Sequence, residues 1–399
     1  MRLNKRACAL VWACAWLCAC VCASAPFRVY WNVPSHLCVG HGVYVNVSQY
    51  GLLQNAGDAF HGEKVTILYG PGEFPYLKED AEGEWQPVNG GVPQAGSLTS
   101  HGQAFLNTLN SLVPADFKGA AVLDFEDYYP SLQLSAPQYK NASRAWVRAR
   151  HPTWSPAEVD QESYASFNAS AKDFFKTLLW VGREARPGAL WGYYHYPYCH
   201  DYSPGEHVCR PKTQEMNDAL AWLFEGSAAL YPSLYVFKGA GFTPSTRRLH
   251  AAAALEEADR VRQKVNSTAP VLPYVWYRYH DDPAFLSPVD VVNTLGIARL
   301  WGTGGAVVWG ASKDMATREQ CLALKNYAEG QLGPLVRYLA HLPCAKLHHI
   351  LTSRRRLRRR VKKVLGKIRR RKGRKGKRRG RRRGRKEGNG GGRGGGEFC

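Results

Sequence analysis

The 399 residues carry a formal net charge of +22, but 24 of the 54 Lys/Arg and 2 of the 32 Asp/Glu fall in the last 46 residues, Arg354–Cys399. The remaining chain holds 30 of each and is neutral. This excludes a globally basic nucleic-acid-binding body and leaves charge-driven polyanion binding to the tail. With 45% apolar residues the body can bury a real core, as one large domain or two small ones.

In chain order, Arg2, Lys5 and Arg6 precede an uncharged run from Ala7 to Val21 and the small residues Ala23, Ser24 and Ala25. That is the layout of a secretory signal peptide over residues 1–25, and a transmembrane anchor would need ~20 apolar residues. A secreted, extracellular protein without a membrane span is expected. Seven short apolar or aromatic runs then read as strands: Arg28–Pro34, Val65–Gly70, Ala120–Asp127, Leu190–Pro197, Ser233–Phe237, Val271–Tyr277 and Ala306–Gly310. Helical spacing is read over Gln103–Leu112, Ser155–Glu184, Thr213–Phe224, Ser245–Val265, Ser287–Trp301 and Thr317–Leu339. Alternating strands and helices imply parallel strands joined by crossovers. Seven or eight such units favour a β/α barrel over residues 26–345. An open doubly wound sheet is less favoured, because no G-x-G-x-x-G follows an early strand. Residues 346–399, rich in Lys, Arg and Gly, are expected to be a disordered tail.

Of the eleven cysteines, Cys8, Cys14, Cys18, Cys20 and Cys22 would leave with the signal peptide. Cys38, Cys199, Cys209, Cys321, Cys344 and Cys399 remain, in a compartment that permits disulfides. Cys199 and Cys209 close a short loop, Cys38 and Cys321 would tie the start of the body to its end, and Cys344 and Cys399 have no assigned partners. Sequons at Asn46, Asn141, Asn168 and Asn266 are candidate glycosylation sites.

The chemistry concentrates where the third strand run ends, Val122-Leu123-Asp124-Phe125-Glu126-Asp127. Residues i and i+2 of a strand share a face, so Asp124 and Glu126 project together at the C-terminal mouth, where barrel folds place active sites. Two close carboxylates retain a proton, and a carboxyl held protonated near neutrality is a general acid. Trp191, Tyr193, Tyr194, Tyr196, Tyr198, Tyr231, Tyr235, Tyr274, Trp276, Tyr277, Tyr279 and Trp309 fall on or beside the neighbouring strand runs. That is more polar-tipped aromatic surface than a closed core can satisfy, and it suits sugar rings. A same-face pair cannot flank a sugar as acid and nucleophile do in the usual retaining enzymes. If Asp124 and Glu126 are the working pair and no third carboxylate serves, a 2-acetamido group on the substrate must act as nucleophile, which points to N-acetylhexosamine at the cleaved bond.

These motifs closely resemble those of the hyaluronidases of glycoside hydrolase family 56, of the bee-venom type more than the mammalian. The resemblance rests on Phe27-Arg-Val-Tyr-Trp31-Asn-Val-Pro34 with Cys38, Asn89-Gly-Gly-Val-Pro-Gln94, Leu123-Asp-Phe-Glu126, Trp191-Gly-Tyr-Tyr194, Tyr196-Pro-Tyr-Cys199, Leu230-Tyr-Pro-Ser-Leu-Tyr235 and Val308-Trp309-Gly310 followed by Cys321. It implies a distorted barrel of about seven parallel strands, acting as a secreted endo-β-N-acetylhexosaminidase on hyaluronan or chondroitin. It implies Glu126 as proton donor, Asp124 sharing its proton and helping to hold the acetamido group, Tyr235 orienting that group, and Tyr194 and Trp309 shaping the hexosamine subsite. It further implies disulfides Cys38–Cys321 and Cys199–Cys209, and no metal or organic cofactor. A monomer is expected. Two features depart from the family: Tyr128-Tyr129-Pro130 stands where Trp-Arg-Pro is usual, and the basic tail has no counterpart. The competing reading is a weakly active or inactive glycan-binding protein on the same scaffold. The tail, over Arg354–Lys386, is a candidate binder of sulfated glycans or of the substrate itself.

Overall fold

The computed structural model of the protein describes residues 26–199, 208–239, 241–351 and 366. The expected signal peptide and, Gly366 apart, the basic tail lie outside them. The strands are β1 (Arg28–Asn32), β2 (Val65–Tyr69), β3 (Tyr76–Glu79), β4 (Trp85–Val88), β5 (Ala120–Asp124), β6 (Leu190–Tyr193), β7 (Tyr274–Trp276) and β8 (Gly305–Trp309). β8 lies between β1 and β7 in one parallel sheet, β5 lies between β2 and β6 in another, and β3 and β4 form an antiparallel hairpin. Val65–Leu68 and Ala120–Leu123 are buried along their whole length. Such continuous apolar runs belong to parallel strands covered on both faces.

Single bridges join the two sheets. Tyr194 pairs with Tyr231, Leu230 with Val271 and Ser233 with Tyr274, so residues 230–233 span from β6 to β7. The strand expected at Ser233–Phe237 is therefore not regular and its pairing begins earlier. Pro232 sits within it and has no N–H to give to a ladder. Gly192 lets this segment approach β6, since a Cβ there would lie 2.1 Å from the Ala229 carbonyl oxygen.

On the other side, Leu53 exchanges backbone hydrogen bonds with Val29 and Trp31 of β1, at 2.8 and 2.9 Å. From there one side chain makes several backbone bonds toward β2. Asn55 Nδ2 donates to the Val65 and Ala59 carbonyls at 2.9 and 2.8 Å, and its Oδ1 accepts from the Lys64 and Val65 amides at 2.9 and 3.1 Å. The buried amide stands in for a missing strand rung. Gly62 packs against it so closely that a Cβ would come within 2.7 Å of Asn55 Cγ.

The helices are α1 (Leu98–Leu112), α2 (Pro137–Arg150), α3 (Pro156–Ala185), α4 (Pro211–Ala219), α5 (Ala221–Gly226), α6 (Pro244–Lys264), α7 (Pro288–Val291), α8 (Ile297–Leu300), α9 (Arg318–Tyr327), α10 (Gly333–Ala340) and α11 (Cys344–Leu351). π-helical turns, Val292–Gly296 and Ala328–Leu332, join α7 to α8 and α9 to α10. The long α3 begins with a capping box: Ser155 Oγ accepts from the Glu158 amide, and the Glu158 carboxylate accepts from the Ser155 amide at 2.7 Å. No helix among the described residues is long and apolar enough to cross a membrane.

Two expectations are corrected. The body does not end at residue 345: Leu347, Ile350 and Leu351 bury the apolar face of α11, at helical spacing. Cys38 and Cys321 form a disulfide, but Cys199 and Cys209 are both free, buried thiols. They hydrogen-bond to each other, which, with burial, raises the Cys199 pKa. Folding has brought the sulfurs together; joining them takes an oxidant, which packing does not supply. Cys344 is also disulfide-bonded.

Asn55→Ala should remove one side chain and leave several buried backbone groups unpaired. At ~1–3 kcal/mol for each unsatisfied group, a loss of about 3 kcal/mol is expected in urea unfolding. An unchanged midpoint would show that water replaces the amide.

Candidate active site

The site begins with the residue between its two carboxylates. Phe125 follows the last residue of β5 and points away from the mouth. Its ring stacks on Phe74 at 3.8 Å and meets Tyr128 and Phe175 edge-on at 4.8 and 5.9 Å. Phe74 is backed by His101 at 4.5 Å. His101 accepts from the Glu73 amide and contacts the Phe174 carbonyl, and burial lowers its pKa to about 4. This apolar anchor turns Asp124 and Glu126 together into the mouth.

Asp124 is half-buried and Glu126 exposed, and a side-chain hydrogen bond joins them. Burial, then the Glu126 charge, pushes Asp124 up to about 8. Glu126 is also raised, by burial first; the bond from Asp124 pulls it down and Asp127 pushes it up. The pair therefore holds one proton between them near neutrality.

The aromatic residues expected at the site converge around this pair. Tyr194 directly follows β6, Tyr235 follows the bridging segment, and Trp309 ends β8. Tyr194 and Tyr235 are hydrogen-bonded to each other, and Ser233 bonds to Tyr194. Tyr235 stacks on Trp309 at 5.9 Å and contacts Trp276 at 5.7 Å. Burial raises the pKa of both tyrosines, so both remain neutral donors.

Sequence reasoning missed Tyr69, the last residue of β2. It is paired in register with Asp124 and is 53% exposed, and its hydroxyl accepts from Trp309 Nε1 at 2.8 Å. Its pKa is raised to about 12 by burial, with Asp124 and Glu126 adding to the effect. An exposed aromatic at a strand's C-terminal end was the available signal. Tyr129 is half-buried, with its ring edge-on to Tyr196 and Tyr198 at 6.4 and 6.0 Å. Its pKa rises to about 12, from burial, Tyr198 and Glu126.

Among the sequons, Asn46, Asn141 and Asn266 are exposed. Asn168 is half-buried, and its Oδ1 accepts from the Leu132 amide at 2.7 Å, tying down the loop after Tyr129. Among the described residues no cluster of His, Cys, Asp or Glu is placed to hold a metal ion.

Residues 18–347 match the family model of glycoside hydrolase family 56, described as hyaluronidase. The hyaluronidase of Apis mellifera is 39% identical over 324 residues, 79% of this chain and 84% of the relative. The inactive hyaluronidase B of Vespula vulgaris is 32% identical over 318 residues, 77% of this chain and 93% of the relative. A crystal structure of bee venom hyaluronidase in complex with a hyaluronic acid tetramer superposes with a TM-score of 0.75 at 37% identity, covering 79% of this chain and 99% of that one. The fold is of the TIM-like barrel kind.

The raised carboxyl has a consequence for stability. Asp124 binds its proton more tightly folded than unfolded, so its stabilising contribution is full below its ordinary pKa of 3.8 and is lost as pH climbs through about 8. Asp124→Asn removes that loss. It should raise the melting temperature by roughly 2–4 °C at pH 8, the shift for ~1 kcal/mol in a large domain, and leave it unchanged at pH 4. An equal effect at both pH values would refute the raised pKa.

Proposed function

The chain belongs to the hyaluronidase family, glycoside hydrolase family 56, and we propose that it is a secreted endo-β-N-acetylhexosaminidase acting on hyaluronan, with chondroitin as a second substrate. The observation that carries this reading is the hydrogen-bonded Asp124–Glu126 pair at the aromatic mouth of the barrel, where burial raises both carboxyls above their ordinary range. Residues 230–235 are read as the seventh wall element, completing a distorted seven-membered barrel with the six parallel strands.

In the proposed reaction Glu126, the more exposed carboxyl, gives the shared proton to the leaving glycosidic oxygen. Asp124 stays close to the acetamido nitrogen and stabilises the positive charge that grows as the acetamido oxygen attacks the anomeric carbon. The Tyr235 hydroxyl orients that group, and Tyr194 and Trp309 grip the hexosamine ring. Water then opens the cyclic intermediate, with Glu126 as base and net retention. No step calls for a cofactor. Asn46, Asn141 and Asn266 are the favoured glycan acceptors, being exposed. A non-catalytic glycan-binding role is the second reading, favoured by the likeness to an inactive wasp relative.

Glu126→Gln keeps the shape and removes the transferable proton. Hydrolysis of hyaluronan should fall by ~10²–10⁴-fold, while binding of hyaluronan oligosaccharides is retained. More than about a tenth of wild-type turnover would place the acid elsewhere.

The neutral body and strongly basic tail assign sulfated glycans and long hyaluronan chains to the tail as partners. Truncation after Ser353 should leave turnover of short oligosaccharides unchanged and lower the salt needed for elution from heparin. Equal elution of the two proteins would dismiss the tail as a polyanion binder.

A further inference from the structure

Around the carboxyl pair, the described residues supply aromatic rings and negative charge. The groups that shift Asp124 and Glu126 are burial, each other and Asp127, with no Lys or Arg among them. Cations on the loops after the neighbouring strands, and Arg247 of α6, are matched to other acids. Arg278 pairs with Asp314 at 3.0 Å and lies over Phe285, Lys238 pairs with Asp282 at 2.7 Å, and Arg247 pairs with Asp290 at 3.1 Å. Tyr129, three residues after Glu126 and within reach of its charge, is a neutral phenol backed by Tyr196 and Tyr198. His195, stacked on Tyr198 at 4.9 Å, is kept neutral by burial, with its pKa near 4.

A glucuronate leaving group would bring a carboxylate toward this negatively charged edge. The reaction itself does not need one. A β-1,4-linked N-acetylglucosamine oligomer offers the same acetamido oxygen and the same leaving oxygen, carries no charge, and presents apolar sugar faces that stack on aromatic rings. Specificity is the difference between two transition-state affinities, and a missing cation narrows it on the side of the charged substrate.

We propose, resting on the reading above, that the groove also hydrolyses uncharged β-1,4-linked N-acetylhexosamine oligomers, and that Tyr129 is the specificity-determining residue on the leaving-group side. The chemistry is one hydrolysis. The bond between the anomeric carbon and O4 breaks, O4 takes the proton of the carboxyl pair, water supplies hydroxide to the anomeric carbon, and the second proton returns to the pair.

The test compares kcat/KM of the full chain on a hyaluronan octasaccharide and on the hexamer of N-acetylglucosamine, for wild type, Tyr129→Phe and Tyr129→Arg. Wild type should cleave both, with values within about tenfold of each other. Tyr129→Arg should shift the ratio toward hyaluronan by at least tenfold, while Tyr129→Phe keeps the wild-type ratio. Cleavage of hyaluronan alone by wild type overturns the proposal and leaves the family reading intact. Cleavage of neither substrate by folded wild type overturns both. A Tyr129→Arg protein that melts like wild type but keeps its ratio removes Tyr129 from the specificity role. The wild-type ratio decides the activity even where that variant fails to fold.

Discussion

The packing of Phe125 is the constraint from which the site follows. Side chains at the end of β5 alternate in direction, and the middle one of three is a large apolar ring stacked on Phe74 and met edge-on by Tyr128 and Phe175. Burying a phenylalanine is worth ~1.5–3 kcal/mol, enough to fix the alternation. With Phe125 held outward, Asp124 and Glu126 must both face the mouth. Two carboxyls forced into one partly desolvated space share a proton because ionising both is costly. A packing choice thereby becomes an acid–base property.

The rest of the barrel keeps this arrangement from relaxing. The Asn55 amide bonds the backbone at the start of β2, and the Cys38–Cys321 bond fastens the segment after β1 to α9. Asn168 and the aromatic cluster around Tyr128 hold the loop that follows the acid pair. Strand ends thus supply the carboxyl pair and its aromatic surround, while side chains away from the mouth supply rigidity. This division lets the site tolerate a pair of carboxyls that costs stability as pH rises.

Much of this was legible in the residue pattern, for identifiable reasons. The two-residue period placed Asp124 and Glu126 together, and continuous apolar runs marked the buried parallel strands. Ser155 and Glu158 at capping-box spacing located the start of α3 to within one residue. Other features depend on tertiary context. The β3–β4 hairpin lacks apolar alternation, since Lys78, Glu79, Trp85 and Gln86 are exposed, and its turn is tied instead by Asp80 accepting from the Glu82 and Glu84 amides. In α2 polar residues obscure a narrow buried stripe of Tyr139, Ser143 and Val147. The bridging role of residues 230–233 depends on neighbours distant in sequence, and Pro232 breaks the local pattern. Tyr69 reads as the end of a strand until its register with Asp124 is known.

The aromatic rim and the carboxyl pair act on one another. Rings exclude water without contributing charge, so they raise the proton affinity of Asp124 and Glu126 while offering sugars a flat apolar surface. A cation beside the pair would draw in anionic sugars, but it would also stabilise the ionised carboxylates and weaken the proton donor. Tyr129 avoids that conflict with a phenol that remains neutral far above physiological pH.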